Sequence, residues 1–296
     1  MEIYPVMHSH INRRRFLEQT SAIALGALGS RSLLAATPPR KFKLGLVTYN
    51  VAANWDLATL VENCRQAGIE GVEFRTTHKH GVEPSLTAER RGDVKKRCAD
   101  AGVTIWSLGS TCEFHAVDSA VVKKNIATCA EFVKLAADIG ARGVKVRPNG
   151  LPKEVPVEKT LAQIGAALNE CGKIGADHGI EIWMEVHGAG TCEPQNARTI
   201  LDACPNLNVG ANWNSNKPDV KDGSVKWSFD LLKDRIKSCH INDLDSSYPY
   251  RELFSLFREV GYDRFTLCEY GKNVPAEEGV AFLKKYRARW MELADE

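Results

Sequence analysis

Short β-rich runs recur eight times along this chain, each followed by an amphipathic stretch. That alternation limits the fold more than any other feature. The runs are KLGLVTY (43–49), GVEFR (71–75), VTIWSLG (103–109), GVKVR (143–147), IEIWMEV (180–186), LNVGAN (207–212), IKSCHI (236–241) and FTLCEY (265–270). Between them, apolar residues recur at helical spacing and end in glycine, as in LATLVENCRQAG, DVKKRCADAG, SAVVKKNIATCAEFVKLAADIG and VEKTLAQIGAALNECGKIGADHG. Spacing of i, i+3, i+4 with a glycine just past the end is a helix signal. Eight β-α units in about 260 residues close most economically as a parallel (β/α)8 TIM barrel forming a single domain. The main rival is a doubly wound open sheet, which places a glycine-rich phosphate loop after its first strand. Here YNVAANW stands at that place. At 44% hydrophobic and 26% charged residues over 296 positions, the composition is that of an ordinary globular chain. No repeat, low-complexity stretch or internal linker marks a second domain.

The first residues read differently. Arg13-Arg14-Arg15-Phe16-Leu17 precedes a short apolar run from Ala22 to Leu28. A basic region followed by a short apolar one is an export signal, and this one resembles the twin-arginine signature. The run is too short and glycine-rich for a stable membrane span. The expected layout is a signal peptide over 1–36, a linker over 37–42 and a barrel over 43–296, with delivery by the twin-arginine export machinery to the periplasm. The chain's 39 basic and 37 acidic residues fall to 35 of each once the signal's four arginines and two glutamates are set aside. A binder of phosphate backbones carries a basic excess, so no nucleic-acid partner is expected. The nine cysteines include no C-x-x-C pair, which excludes a zinc ribbon or a thioredoxin-like motif. Buried thiols are the default, with one disulfide left open for an oxidising compartment.

Barrel enzymes carry their sites at the C-terminal strand ends. Read in order, those ends hold Glu73 and Arg75 (followed by His78 and His80), Lys145 and Arg147, Glu185 and His187, Asn212 and Asn214, His240 and Asp243, then Glu269. Oxygen donors with one imidazole suit a divalent metal: Mn²⁺ first, with Mg²⁺, Co²⁺ or Zn²⁺ as alternatives. Strand parity supports convergence, because successive side chains point to opposite faces. If His240 and Glu269 face the axis, Cys239 and Cys268 face the helices as small apolar groups. Asn212 and Asn214 share one parity while Trp213 points away.

MEVHG, HIND and LCEYG, in that order on strands five, seven and eight, resemble the xylose isomerase-like superfamily of metal-dependent barrels, its sugar isomerase and epimerase branch in particular. Members bind metal through a glutamate, an aspartate, a histidine and a second glutamate. The resemblance places these on Glu185, Asn212, His240 and Glu269. The chain departs from the pattern twice: Asn212 stands for the aspartate, and Ser215 stands where a histidine is frequent three residues on. An amide oxygen still serves a hard cation. Two carboxylates neutralise a divalent ion, so a site without the aspartate would polarise a substrate oxygen more strongly. Asn214 is the alternative ligand, and amides that only cap the next segment or bind sugar hydroxyls are the plainer reading.

The remaining candidates line a substrate site: Glu73, His78, His80, Lys145, Arg147, His187, Asn214 and Asp243. Each has a structural alternative. Glu73 could pair with Arg75 or Lys145, Lys145 and Arg147 could pair with the glutamates, and Asp243 could cap a helix or support a ligand. Tyr49, Trp55, Trp106, Phe114 and Tyr270 could wall a sugar or fill the core.

The resemblance implies a sugar isomerase or epimerase acting by proton abstraction beside a metal-bound carbonyl, through an enediolate, with Glu185 and Glu269 as acid and base. The partner is a small carbohydrate, and a homo-oligomer is left open. A lyase expelling the C1 substituent of a 3-keto glycoside uses the same first step. An abasic-site hydrolase and a non-catalytic periplasmic sugar-binding protein are the remaining alternatives.

Overall fold

The computed structural model describes Met1 and residues 38–295, so the export signal expected over 1–36 lies outside the described residues. Eight strands and eight helices alternate among the described residues: β1 Lys43–Val47, α1 Leu57–Ala67, β2 Gly71–Arg75, α2 Ala88–Asp100, β3 Thr104–Glu113, α3 Ser119–Ile139, β4 Gly143–Arg147, α4 Val157–Asp177, β5 Glu181–Glu185, α5 Pro194–Asp202, β6 Val209–Asn214, α6 Lys226–Leu232, β7 Ile236–Ile241, α7 Tyr250–Glu259, β8 Phe265–Cys268 and α8 Gly279–Asp295. All strand pairs are parallel, and β1 pairs with β8 (Lys43 opposite Phe265), so the sheet closes as a (β/α)8 barrel. No helix among the described residues is long and apolar enough to cross a membrane.

Local chemistry sets the element ends. Asp56 caps α1 by accepting from the Thr59 N–H at 2.9 Å. Gly68 ends that helix at φ 69°, a left-handed conformation that glycine adopts without strain. β3 runs four residues beyond the expected Gly109, after a register irregularity that brings Glu113 opposite Arg147. β8 stops at Cys268, so Glu269 stands just past the strand.

Two cores result. The outer one fills the space between strands and helices, and takes in Phe42, which is fully buried against Phe254, Phe257 and Trp290. Arg40 stacks over Trp290 at 4.3 Å, so the end of the expected linker is bound to the barrel wall. The inner core is a plug of Val47, Trp106, Trp183, Phe265 and Leu267. Trp106 lies 5.0 Å from both Trp183 and Phe265, centroid to centroid. These large side chains fit because neighbouring strands carry glycine there: a Cβ on Gly143 would sit 2.6 Å from the Trp183 ring. Beneath the plug, Glu181 accepts from Arg264, Arg142 and the Trp183 indole N–H at 2.7 to 3.1 Å. The lower half is therefore filled, and the open space lies at the C-terminal ends of the strands. All nine cysteines are free thiols, eight buried and Cys192 partly so.

Candidate functional site

Strands five to eight deliver four groups to one level of that upper space. Glu185 is the last residue of β5 and pairs in register with Asn212 on β6; Asn214 pairs with His240 on β7. One donor atom each from Glu185, His240 and Glu269 lies within 4.8 Å of the others. His240 Nδ1 stands 3.2 Å from Glu269 Oε2 and 3.7 Å from Glu185 Oε1. It is close to both carboxylates but aligned with neither as a hydrogen bond. Trp213 turns outward as parity requires, its N–H donating to the Tyr248 hydroxyl at 3.0 Å.

A second layer holds the first. His240 Nε2 lies 3.3 Å from Glu73 Oε2, and the Ser107 hydroxyl donates to the same oxygen at 2.7 Å. Glu73 is 0% exposed. A carboxylate only accepts, so it orients the ring with Nε2–H toward Glu73 and Nδ1 toward the cluster. Lys145 donates to Glu185 Oε2 at 2.7 Å, and Asn214 Nδ2 to Oε1 at 3.3 Å.

The charges are strongly coupled. Burial by itself would raise the Glu185 carboxyl, but the Lys145 ammonium and His240 hold it far below the usual range. Burial would lower His240, yet Glu269 and Glu73 push it well above its ordinary value. Lys145 is likewise kept charged against burial by Glu185, Glu73 and Glu269. With His240 neutral, as a histidine that binds metal must be, three carboxylates against one ammonium leave two negative charges, which a divalent cation neutralises. The donor set is mixed oxygen and nitrogen, as such an ion requires. Asn212 adds an independent sign. It is 0% exposed, and both its amide atoms lack a hydrogen-bond partner. A buried amide left so is costly unless a ligand completes it.

Above the cluster opens a polar pocket of about 290 Å³, lined by Tyr49, Arg75, Lys145, Arg147, Glu185, His187, Asn214, Ser215, Asn216, Asn242, Glu269 and Gly271. Its size lies at the lower end for small-ligand sites. Arg147 and Asn149 both donate to Glu113 Oε1 at 2.6 Å, and His187 Nδ1 lies 3.0 Å from Asn149 Oδ1. Arg75 approaches the His78 ring at 3.2 Å and lies 5.1 Å over the Tyr49 ring.

Four of the expected substrate residues, Lys145, Arg147, His187 and Asn214, thus reach the pocket wall. The other four do not. Glu73 sits beneath His240 and pairs with neither Arg75 nor Lys145 by a hydrogen bond. His80 is buried, its Nδ1 accepting from the Val82 N–H at 3.0 Å. Burial, helped by the His78 neighbour, brings His80 down to about 4. His78 stands behind Arg75; burial and then that guanidinium lower it to about 4. Asp243 faces the surface, pairing with Lys272 at 3.1 Å and capping its own turn. Trp106 belongs to the inner plug, not to a sugar wall. Sequence reading missed Glu113, Asn149, Asn242 and Ser107. Asn242 was within reach, since it shares the parity of His240; Glu113 lay beyond the expected end of its strand.

Residues 61–286 match the protein family described as xylose isomerase-like TIM barrel. No curated protein matches the sequence. Among solved structures, a D-psicose 3-epimerase of Clostridium cellulolyticum H10 with D-tagatose is similar with TM-score 0.73 and 11% identity, over 86% of this chain and 100% of that one. The IolI protein with a bound zinc atom gives TM-score 0.71 and 16% identity, over 86% and 98%. The 3-keto-D-glucoside 4-epimerase YcjR of E. coli gives 0.69 and 12%, over 85% and 100%. At these identities the likeness is one of fold.

Proposed function

The chain belongs to the xylose isomerase-like TIM-barrel family, and on that premise we propose that it is a metal-dependent sugar isomerase or epimerase. The observation that carries this is the convergence of Glu185, His240 and Glu269 within 4.8 Å at the open end of the barrel. Asn212 is the fourth ligand in this reading, through its otherwise unpartnered amide oxygen. When bound, a divalent ion (Mn²⁺ first; Mg²⁺, Co²⁺ or Zn²⁺ as alternatives) supplies Lewis-acid polarisation of a substrate carbonyl. The chain's own residues move the proton. Glu269, the more exposed of the two carboxylates, takes it from the carbon beside the carbonyl. Glu185 is fixed by Lys145 and Asn214, and the Glu185–Lys145 pair delivers a proton to the opposite face. Arg75, Arg147 and His187 bound the space for the remaining hydroxyls. From Arg13-Arg14-Arg15-Phe16-Leu17 we also propose a periplasmic place of action.

One observation favours a second reading. The Lys145 ammonium occupies Glu185 Oε2 at 2.7 Å, which leaves Glu269 as the free carboxylate. Elimination of the C1 group from a 3-keto glycoside needs a single base, and one structural neighbour is named for a 3-keto-D-glucoside. Both readings are tested together by incubating metal-loaded protein in heavy water with D-fructose or with a 3-keto-glucoside. Deuterium should enter beside the carbonyl, and Glu269→Gln should stop it with metal in excess. Loss of the C1 group separates elimination from epimerisation. Product formed with every C–H bond intact, as read from the label position in substrate and product, sinks both.

A further inference from the structure

We infer that Glu113 and Asn149 act as a relay that fixes His187 with its hydrogen on Nδ1, so that its Nε2 accepts a hydrogen bond from a substrate hydroxyl. Glu113 is the last residue of β3. Its Oε1 lies 2.6 Å from Arg147 Nη2 and 2.6 Å from the side-chain nitrogen of Asn149. An ionised carboxylate has no hydrogen to give, so it dictates which end of the Asn149 amide faces it: the NH₂ end. The amide oxygen is then turned to His187 Nδ1, at 3.0 Å. An amide oxygen only accepts, so Nδ1 must carry the hydrogen. In the neutral ring Nε2 is then a bare lone pair. His187 lines the pocket, and no described residue is hydrogen-bonded to that Nε2.

The backbone shows that this placement is built in. Asn149 holds φ 61°, a left-handed conformation that costs energy for a residue with a Cβ. The loop after β5 presses on it: Gly188 has φ 92°, and a Cβ there would meet the Asn149 Cα at 2.5 Å. Two loops from neighbouring strands are thus locked together at the point where the amide meets the imidazole. The consequence is chemical selection. A ring nitrogen that only accepts suits a hydroxyl and rejects a carbonyl, carboxylate or phosphate oxygen at that position, since two acceptors would face each other unpaired. Asn149 and Glu113 are positioning residues here, and His187 is the contact.

This inference rests on the sugar reading of the pocket, but its first test does not. Nitrogen NMR of zinc-loaded protein with isotope-labelled histidine, with His187 assigned by its loss in His187→Gln, reports which ring nitrogen is protonated. The expected pattern is a pyrrole-type Nδ1 and a pyridine-type Nε2. Saturating D-fructose should move the Nε2 signal upfield and leave Nδ1 pyrrole-type. Asn149→Gly tolerates the left-handed backbone and removes only the amide. It should abolish the single-tautomer pattern and weaken D-fructose binding roughly tenfold, the loss expected of one hydrogen bond left unmade in a site. Hydrogen on Nε2 in the wild type, an unchanged tautomer in Asn149→Gly, or an Nε2 signal unmoved while other site signals respond would each overturn the inference. A sugar that fails to bind counts against the proposed function alone, and the tautomer still decides this one.

Discussion

Asn212 concentrates the physics of the site. Its neighbours Glu185, His240 and Glu269 could be read from strand order and pleat parity, because each lies at or within one residue of a strand end whose alternation fixes the inward face. Its own role could not be read so surely, since asparagine also serves turns and caps. Burial supports the proposed ligand role: an amide without a partner at 0% exposure is poor as a cap and suitable as a ligand. Asn212→Asp should bind Mn²⁺ more tightly, by about tenfold or more, because it adds a charge beside the ion; unchanged affinity by titration would move Asn212 out of the coordination set. Glu73 was legible as an inward acid, but its depth was not, so sequence alone leaves a substrate role open. It instead backs His240. Glu73→Gln should cost roughly 10–100-fold in metal affinity, the usual effect of losing a ligand's supporting carboxylate. An unaffected affinity would reduce Glu73 to a packing role.

At the scale of elements, the alternation was plain over its first half, because the helices Leu57–Ala67, Ala88–Asp100, Ser119–Ile139 and Val157–Asp177 are long enough for their 3.6 period to show and each is followed within two residues by a glycine. The loops were not legible. The Asn149–His187 contact joins residues 38 apart in sequence, and nothing in either loop's composition announces the other. The inner plug was equally hidden, since period-two patterning tells inside from outside but not top from bottom. Trp106 was therefore read as a candidate sugar wall. The plug depends on small residues opposite large ones. Gly143→Ala would place a methyl 2.6 Å from Trp183, an overpacking expected to destabilise by about 1–3 kcal/mol. Urea unfolding should show it as a lower midpoint with an unchanged slope; a midpoint equal to wild type would mean that the indole moves freely, against the close packing described.

For the whole molecule, the ends of the barrel divide stability from function. The bottom is closed by Glu181, which Arg264, Arg142 and Lys237 surround. Burial would raise that carboxyl, but its hydrogen bonds from Arg264 and Trp183 and the nearby cations bring it down to about 2 from an ordinary 4.5. A carboxyl lowered on folding stabilises the fold above its unfolded value and loses that contribution as the pH falls through the folded one. Stability should thus decline between about pH 4.5 and 2 in step with Glu181. Glu181→Gln should flatten that decline and cost roughly 3 kcal/mol at neutral pH. An unaltered acid limb would place the loss elsewhere. The top is where a divalent ion would balance three carboxylates and one lysine, and everything proposed about reaction depends on that ion. The most direct test is metal analysis of the purified protein together with turnover after chelation and re-addition. About one divalent ion per chain is expected, lost in His240→Ala, with label exchange into a keto sugar that stops on chelation and returns with Mn²⁺. A protein that holds no divalent ion when it is supplied, or that exchanges the label equally well under chelation, would contradict it.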